Sequence, residues 1–237
     1  MGIVHQSPRQ TADLDFSTDL RPEPNLPDDI RTALDRAFPL ASARLGNPDL
    51  VCKVQTLKVK PRANSLERDQ FPALEITIAY ALRGSSQADR LAKGHGSDTV
   101  KVSISFNEPV DALQIVKLGQ QGPEIRAYSL LDLIAEKLRA LLQQKLRNRY
   151  RRQDMYDIAM LADAFPLDRD EKRHLLDVHR RTCAAHNIVP HVDSLEDPEL
   201  IRRARDQWHT LDLELETVPD FDACLENVQR LYRDLPW

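Results

Sequence analysis

The hydrophobic positions of this chain change period part-way along. Residues 50–60 (LVCKVQTLKVK), 73–82 (ALEITIAYAL) and 99–106 (TVKVSISF) alternate and are rich in β-branched residues, which predicts strands. Residues 26–38 (LPDDIRTALDRAF) follow a Pro-Asp start with apolar positions at helical spacing, so they predict a helix. The stretch 83–98 (RGSSQADRLAKGHGSD) reads as a polar hairpin connection. Its Gly94 and Gly96 precede no helix and so make a poor phosphate loop. From Tyr128 onward there is no glycine, and helical spacing dominates. Residues 129–146 open with Ser129 and Asp132 at capping-box spacing and repeat Leu131, Ile134, Leu138 and Leu141 as an apolar stripe. Further helices are expected at 152–165, 169–187, 197–211 and 222–235. The pattern predicts an α+β protein: a front half, 1–127, with three or four strands, and a helical back half, 128–237.

Composition narrows the class. A chain of 237 residues can bury one substantial core, or a main domain with a smaller appendage. Charged residues make up 30% and the net charge is −4. No run of about 18 apolar residues exists, so neither a membrane span nor a secretory h-region is expected, and a cytoplasmic location follows. Cys52, Cys183 and Cys224 are scattered and form no C-x-x-C pair, which argues for buried thiols rather than a disulfide framework or a cysteine zinc site. The near-neutral total hides an asymmetry. Residues 137–152 carry seven basic side chains and no acidic one, whereas from Asp193 to the C-terminus twelve acidic residues face five basic ones. The basic strip is either a solvated helix face or a polyanion contact.

Candidate chemistry begins at residues 9–16, RQTADLDF. On a strand, Asp13 and Asp15 point to one side while Leu14 and Phe16 point to the other. Two carboxylates held together repel unless a cation sits between them, and Mg²⁺ suits such a pair because it combines carboxylate oxygens with those of a nucleotide triphosphate. The competing reading is a surface turn. His179, Cys183 and His186 could present ligands on one helix face, but no fourth ligand accompanies them and an ordinary helix with a buried cysteine is the better reading. Trp208 and Trp237 are expected to be packing anchors. No nucleophile elbow, Walker or Rossmann fingerprint is present.

Three segments taken together carry a resemblance. Arg9, Thr11, Asp13 and Asp15 match R-x-[ST]-x-D-[ILV]-D-[FL]; Ala135, Glu136, Lys137 and Ala140 match A-E-K-x-x-A; Arg151, Asp154 and Asp157 match R-x-[KR]-D-x-x-D. In this order and on these elements, residues 3–165 resemble the AbiEii/AbiGii toxin family of nucleotidyltransferases. The resemblance implies a small mixed sheet with a helical C-terminal half. It also implies transfer of a nucleoside monophosphate from an NTP to an acceptor, with tRNA among the candidates, by the toxin of a toxin-antitoxin or phage-defence module. Asp13, Asp15, Lys137 and Asp154 would be catalytic. Arg9, Thr11, Lys137 and Asp157 would bind the nucleotide, and Asp13 and Asp15 would hold Mg²⁺ or Mn²⁺ with Glu75. Arg147, Arg149, Arg151 and Arg152 would contact RNA, and a cognate antitoxin protein is a further expected partner.

The departures matter as much. Such enzymes carry a Gly-Gly or Gly-Ser segment upstream of the Asp-x-Asp, and Gly2 is the only glycine before Gly46. The segment is therefore expected at or before Met1, in an enzyme read from an internal start or in one that has lost this phosphate grip. Ser103 occupies the strand position where the family often has an acid, with Glu75 as a substitute from the next strand, and Gln153 stands where a lysine often precedes Asp154. These departures motivate an alternative, a catalytically degraded member acting as a binding module for a protein or RNA. A small-molecule nucleotidyltransferase shares the Asp-x-Asp logic and is set aside through the helix motifs.

Overall fold

The computed structural model describes residues 13–60, 72–108, 113–117 and 122–237. These fall into two compact units, one within Thr11–Val110 and the other within Asp111–Trp237.

The first unit is a four-stranded sheet. Its strands are β1 (Asp13–Ser17), β2 (Leu50–Lys60), β3 (Ala73–Leu82) and β4 (Thr99–Ser105), with helices α1 (Leu26–Arg44) and α2 (Ser86–Ala92). The strand order is β1-β4-β3-β2; β1 runs parallel to β4 and the other pairs are antiparallel. Alternation gives the sheet two chemically distinct faces. Val54, Leu74, Ile76 and Val102 form a buried cluster with Phe106, and Ile30, Leu34 and Phe38 of α1 pack onto it. The opposite face carries the polar residues of the same strands, among them Asp13, Asp15, Ser103 and Glu75.

A β-bulge interrupts the β2–β3 register between Val54 and Thr56, and α1 clamps it. Asp35 Oδ1 accepts the Val54 amide at 2.8 Å, and Arg31 Nη1 donates to the Val54 carbonyl at 3.0 Å. Helix α1 runs on through Pro39, beyond the end expected from the sequence, and closes where the Leu45 amide meets the Ala41 carbonyl. The connection expected as a plain hairpin holds the short helix α2 instead, capped by Ser85, whose Oγ accepts the Ala88 amide at 3.2 Å. Leu91 of α2 buries against Ala79 and Ala81. Gly94 ends this segment at φ +81°, and a Cβ on Gly96 would stand 2.6 Å from the Ala79 Cβ, so both glycines serve packing and chain reversal.

The second unit starts with a hairpin that the sequence reading missed, β5 (Leu113–Lys117) paired antiparallel with β6 (Glu124–Tyr128). Five helices follow: α3 (Leu130–Leu142), α4 (Arg152–Ala164), α5 (Arg169–Ala185), α6 (Pro198–Arg205) and α7 (Phe221–Arg233). Helix α3 begins as its capping signal predicts, with Ser129 Oγ accepting the Asp132 amide at 3.2 Å. Its stripe of Ile134, Leu138 and Leu141 is fully buried in one core with Met155, Ile158 and Leu161 of α4 and Leu175 and Val178 of α5. Helix α6 is shorter than expected because Gln207 turns into the left-handed region, φ 57°, before a short 3₁₀ turn. Trp208 donates to the Pro219 carbonyl at 2.8 Å and meets Phe221 edge-on, so it anchors packing as expected.

His179 and Cys183 are core residues. His179 is completely buried between the Ala135 carbonyl and the Tyr232 hydroxyl, 3.4 and 3.3 Å from its ring nitrogens. Burial is the main reason its pKa falls to about 4, so the ring is neutral near pH 7. Burial also pushes the Cys183 thiol up to about 12, which leaves it inert. His186 caps the C-terminus of α5. Among the described residues no group of three or more His, Cys, Asp or Glu is arranged to hold a metal ion, and no helix is long and apolar enough to cross a membrane.

Candidate active site

The sheet unit brings one set of the expected residues together. Asp13 and Asp15 lie on β1, an exposed strand at the end of the sheet, where the parallel register sets Asp13 beside Lys101 and Asp15 beside Ser103. Ser103 is in turn opposite Glu75, and Glu75 opposite Lys58, so Asp15, Ser103, Glu75 and Lys58 form one row across four strands. Side chains in register share a face. The sequence reading that Asp13 and Asp15 share a strand face therefore matches the structure, and Ser103 does sit next to Asp15.

Glu75 is two strands from Asp15, roughly 10 Å by ordinary strand spacing. Its carboxylate is ion-paired with Lys60 on β2. Two exposed carboxylates on one strand face, with oxygen as the only donor atom, fit Mg²⁺, which is commonly held by one or two carboxylates while water and substrate phosphates take its other positions. Arg9 and Thr11 lie outside the described residues.

The helical unit brings the other set together. Lys137 projects from α3 toward α4, where Asp154 and Asp157, three residues apart, share a face. Lys137 Nζ stands 3.0 Å from Asp154 Oδ1 and 2.6 Å from Asp157 Oδ2. Arg151 Nη1 approaches the other Asp154 oxygen at 3.4 Å. Side-chain exposure is 12% for Lys137, 14% for Asp154 and 0% for Asp157, so the ammonium is drawn into the protein rather than snorkelling along a hydrophobic edge. Burial opposes its charge most strongly, yet Asp154 and Asp157 together more than offset it and raise its pKa above the usual lysine value. Lys137 is thus a close counter-charge of the buried Asp157.

Most of the basic strip lies in the turn between α3 and α4, which a buried glutamine shapes. Gln144 accepts the Arg149 amide on its carbonyl at 2.9 Å and the Arg151 amide on Oε1 at 3.0 Å, while its Nε2 donates to the Leu200 carbonyl at 3.3 Å. This fixes a backbone from which Arg147, Arg149 and Tyr150 are exposed, and Arg151 and Arg152 half-buried. The acidic C-terminal region touches the first turn of α4 just after this segment, where Gln153 Nε2 donates to Glu214 at 2.5 Å. Arg203 approaches from α6, donating to Asn148 at 3.0 Å and lying over the Tyr150 ring. No sequence signal identified Gln144 as the residue that organises the turn, because its partners are backbone groups.

Comparison with protein-family models gives a match over residues 1–227, to the family described as nucleotidyl transferase AbiEii toxin of type IV toxin-antitoxin systems. Comparison with curated proteins gives no significant match.

Proposed function

The chain belongs to the AbiEii family of nucleotidyl transferase toxins, and from that premise we propose that it moves a nucleoside monophosphate from an NTP to the hydroxyl of an RNA acceptor, with tRNA as the leading candidate. The observation that carries this reading is the pairing of family motifs with matching geometry. Asp13 and Asp15 share one exposed strand face, and Lys137 is held as an ammonium by Asp154 and Asp157.

In this reading Asp13 and Asp15 would hold Mg²⁺ or Mn²⁺, which supplies charge neutralisation at the triphosphate and orientation of the α-phosphorus. The acceptor hydroxyl gives up its proton to solvent as its oxygen bonds to that phosphorus, the bond to the bridging oxygen breaks and pyrophosphate leaves. Lys137 offsets negative charge on the phosphates, and in the resting site the carboxylates of Asp154 and Asp157 fix where its ammonium points. Arg9 and Thr11 are assigned to the nucleotide by the family motif alone. Arg147, Arg149, Arg151 and Arg152 contact acceptor phosphates, which give affinity without reading sequence, and the exposed Tyr150 ring offers a base a stacking surface. The cellular setting is a bacterial cytoplasm, where a cognate antitoxin limits the toxin.

A second reading, a non-catalytic binding module on the same fold, is favoured by Ser103 standing beside Asp15 and by the Glu75–Lys60 pairing, which leave the row without a third acid next to the pair. One experiment separates the two. Each α-³²P-labelled NTP is incubated with the full chain, Mg²⁺ or Mn²⁺ and total bacterial RNA, beside an Asp13→Ala, Asp15→Ala double variant. Labelled RNA from the parent alone supports the transferase and names its base; RNA retention without label supports the binding module.

A further inference from the structure

Of the two carboxylates that hold Lys137, one is sealed and one is not. Asp157 has no exposed side-chain surface and makes the shorter contact, 2.6 Å. Asp154 is 14% exposed, sits at 3.0 Å and turns its second oxygen toward Arg151, itself 39% exposed. The two differ in what happens when the lysine leaves. Separating Lys137 from Asp157 removes an ammonium at 2.6 Å from a fully buried carboxylate, a costly step. Separating Lys137 from Asp154 leaves a carboxylate that already has a guanidinium at 3.4 Å and some solvent. Ile134, Leu138 and Leu141 lie along Lys137 on α3, all fully buried, so the lysine stem is fixed.

We infer that Asp157 is a positioning residue, the permanent anchor of the Lys137 ammonium, and that Asp154 is an exchangeable partner which passes to Arg151 when an anionic phosphate oxygen takes its place on Lys137. The inference rests on the nucleotide-binding reading above and deepens it. In the resting site Asp154 competes with the incoming phosphate for one ammonium proton, and Arg151 receives the displaced carboxylate. The exchange conserves charge: one anion leaves the ammonium as another arrives, and no proton moves.

The test uses the full chain with ¹⁵N-labelled lysine and inorganic tripolyphosphate as the probe, comparing the parent with Asp154→Asn and Asp157→Asn. A buried, doubly hydrogen-bonded ammonium exchanges protons slowly enough to give its own signal, assigned by its loss in Lys137→Met. Asp154→Asn is expected to keep that signal and to bind tripolyphosphate several-fold more tightly than the parent, whereas Asp157→Asn is expected to lose the signal and bind several-fold more weakly. A purely structural network would shift both variants in the same direction, and that outcome would overturn the inference. Should Asp157→Asn fail to fold, Asp154→Asn decides alone: retained signal and tighter binding uphold the inference, lost signal or weaker binding ends it. Tripolyphosphate that binds neither parent nor variants contradicts the nucleotide reading, while the ammonium signals still decide whether Asp157 is the anchor.

Discussion

Lys137 of α3 and Asp157 of α4 meet at 2.6 Å in the helical core, with no exposed surface on the carboxylate. With the Lys137–Asp154 contact, this ion pair joins two motif segments, its own partners lying twenty residues apart in sequence, and it couples stability to the candidate chemistry.

Removal of one partner exposes that coupling. Lys137→Met removes the ammonium at 2.6 Å from the buried Asp157 and is expected to lower unfolding free energy by about 3–5 kcal/mol. Urea denaturation checks this. The partly exposed Arg151→Ala should cost less than about 1 kcal/mol.

His179 makes stability depend on pH. Its folded pKa is about 4 against an ordinary 6.5, so the unfolded chain binds a proton that the folded chain refuses. The resulting stability is present above about pH 6.5 and is lost as pH falls toward 4, at up to roughly 1.4 kcal/mol per unit. The nearby charges, Arg139 and Arg180, push the same way. Unfolding measured between pH 5 and 7, above most carboxylate titration, should slope in the parent and flatten in His179→Gln.

The bulge on β2 has its own test. Asp35→Ala leaves the Val54 amide without its acceptor and is expected to cost about 1–3 kcal/mol. Amide exchange at Val54 should rise well before exchange in α3 does.

Ser103 offers a gain of function. Because it sits beside Asp15 in register, Ser103→Asp sets a further carboxylate next to the pair and should tighten Mn²⁺ binding several-fold, read by titration of the free ion's paramagnetic signal. Unchanged affinity would place the ion elsewhere than on Asp13 and Asp15.

The parts of the fold that the sequence disclosed are those where local pattern and tertiary role agree. Alternation in 50–60 and 73–82 matches β2 and β3 to the residue, and the Ser129 cap marks the start of α3. Helix α2 was hidden by Gly84 and Gly94 on either side of it, although Ser85 is the cap that would have marked its start. The β5–β6 hairpin was hidden because its strands are only five residues long, too short to establish a period. At the candidate site, Asp13 and Asp15 were legible because strand period alone puts them on one face. The partner of Lys137 was not, because it depends on how α3 packs against α4.

The central claim is nucleotidyl transfer, and the most direct measurement follows two labels at once. RNA is incubated with the chain and the preferred NTP labelled at either the α- or the γ-phosphorus, with released pyrophosphate counted against product. The account predicts α-label in RNA, γ-label only in pyrophosphate, one pyrophosphate per nucleotide added, and neither signal from Asp13→Ala, Asp15→Ala. Transfer of the γ-label to RNA, or pyrophosphate release that the double variant retains, would contradict it.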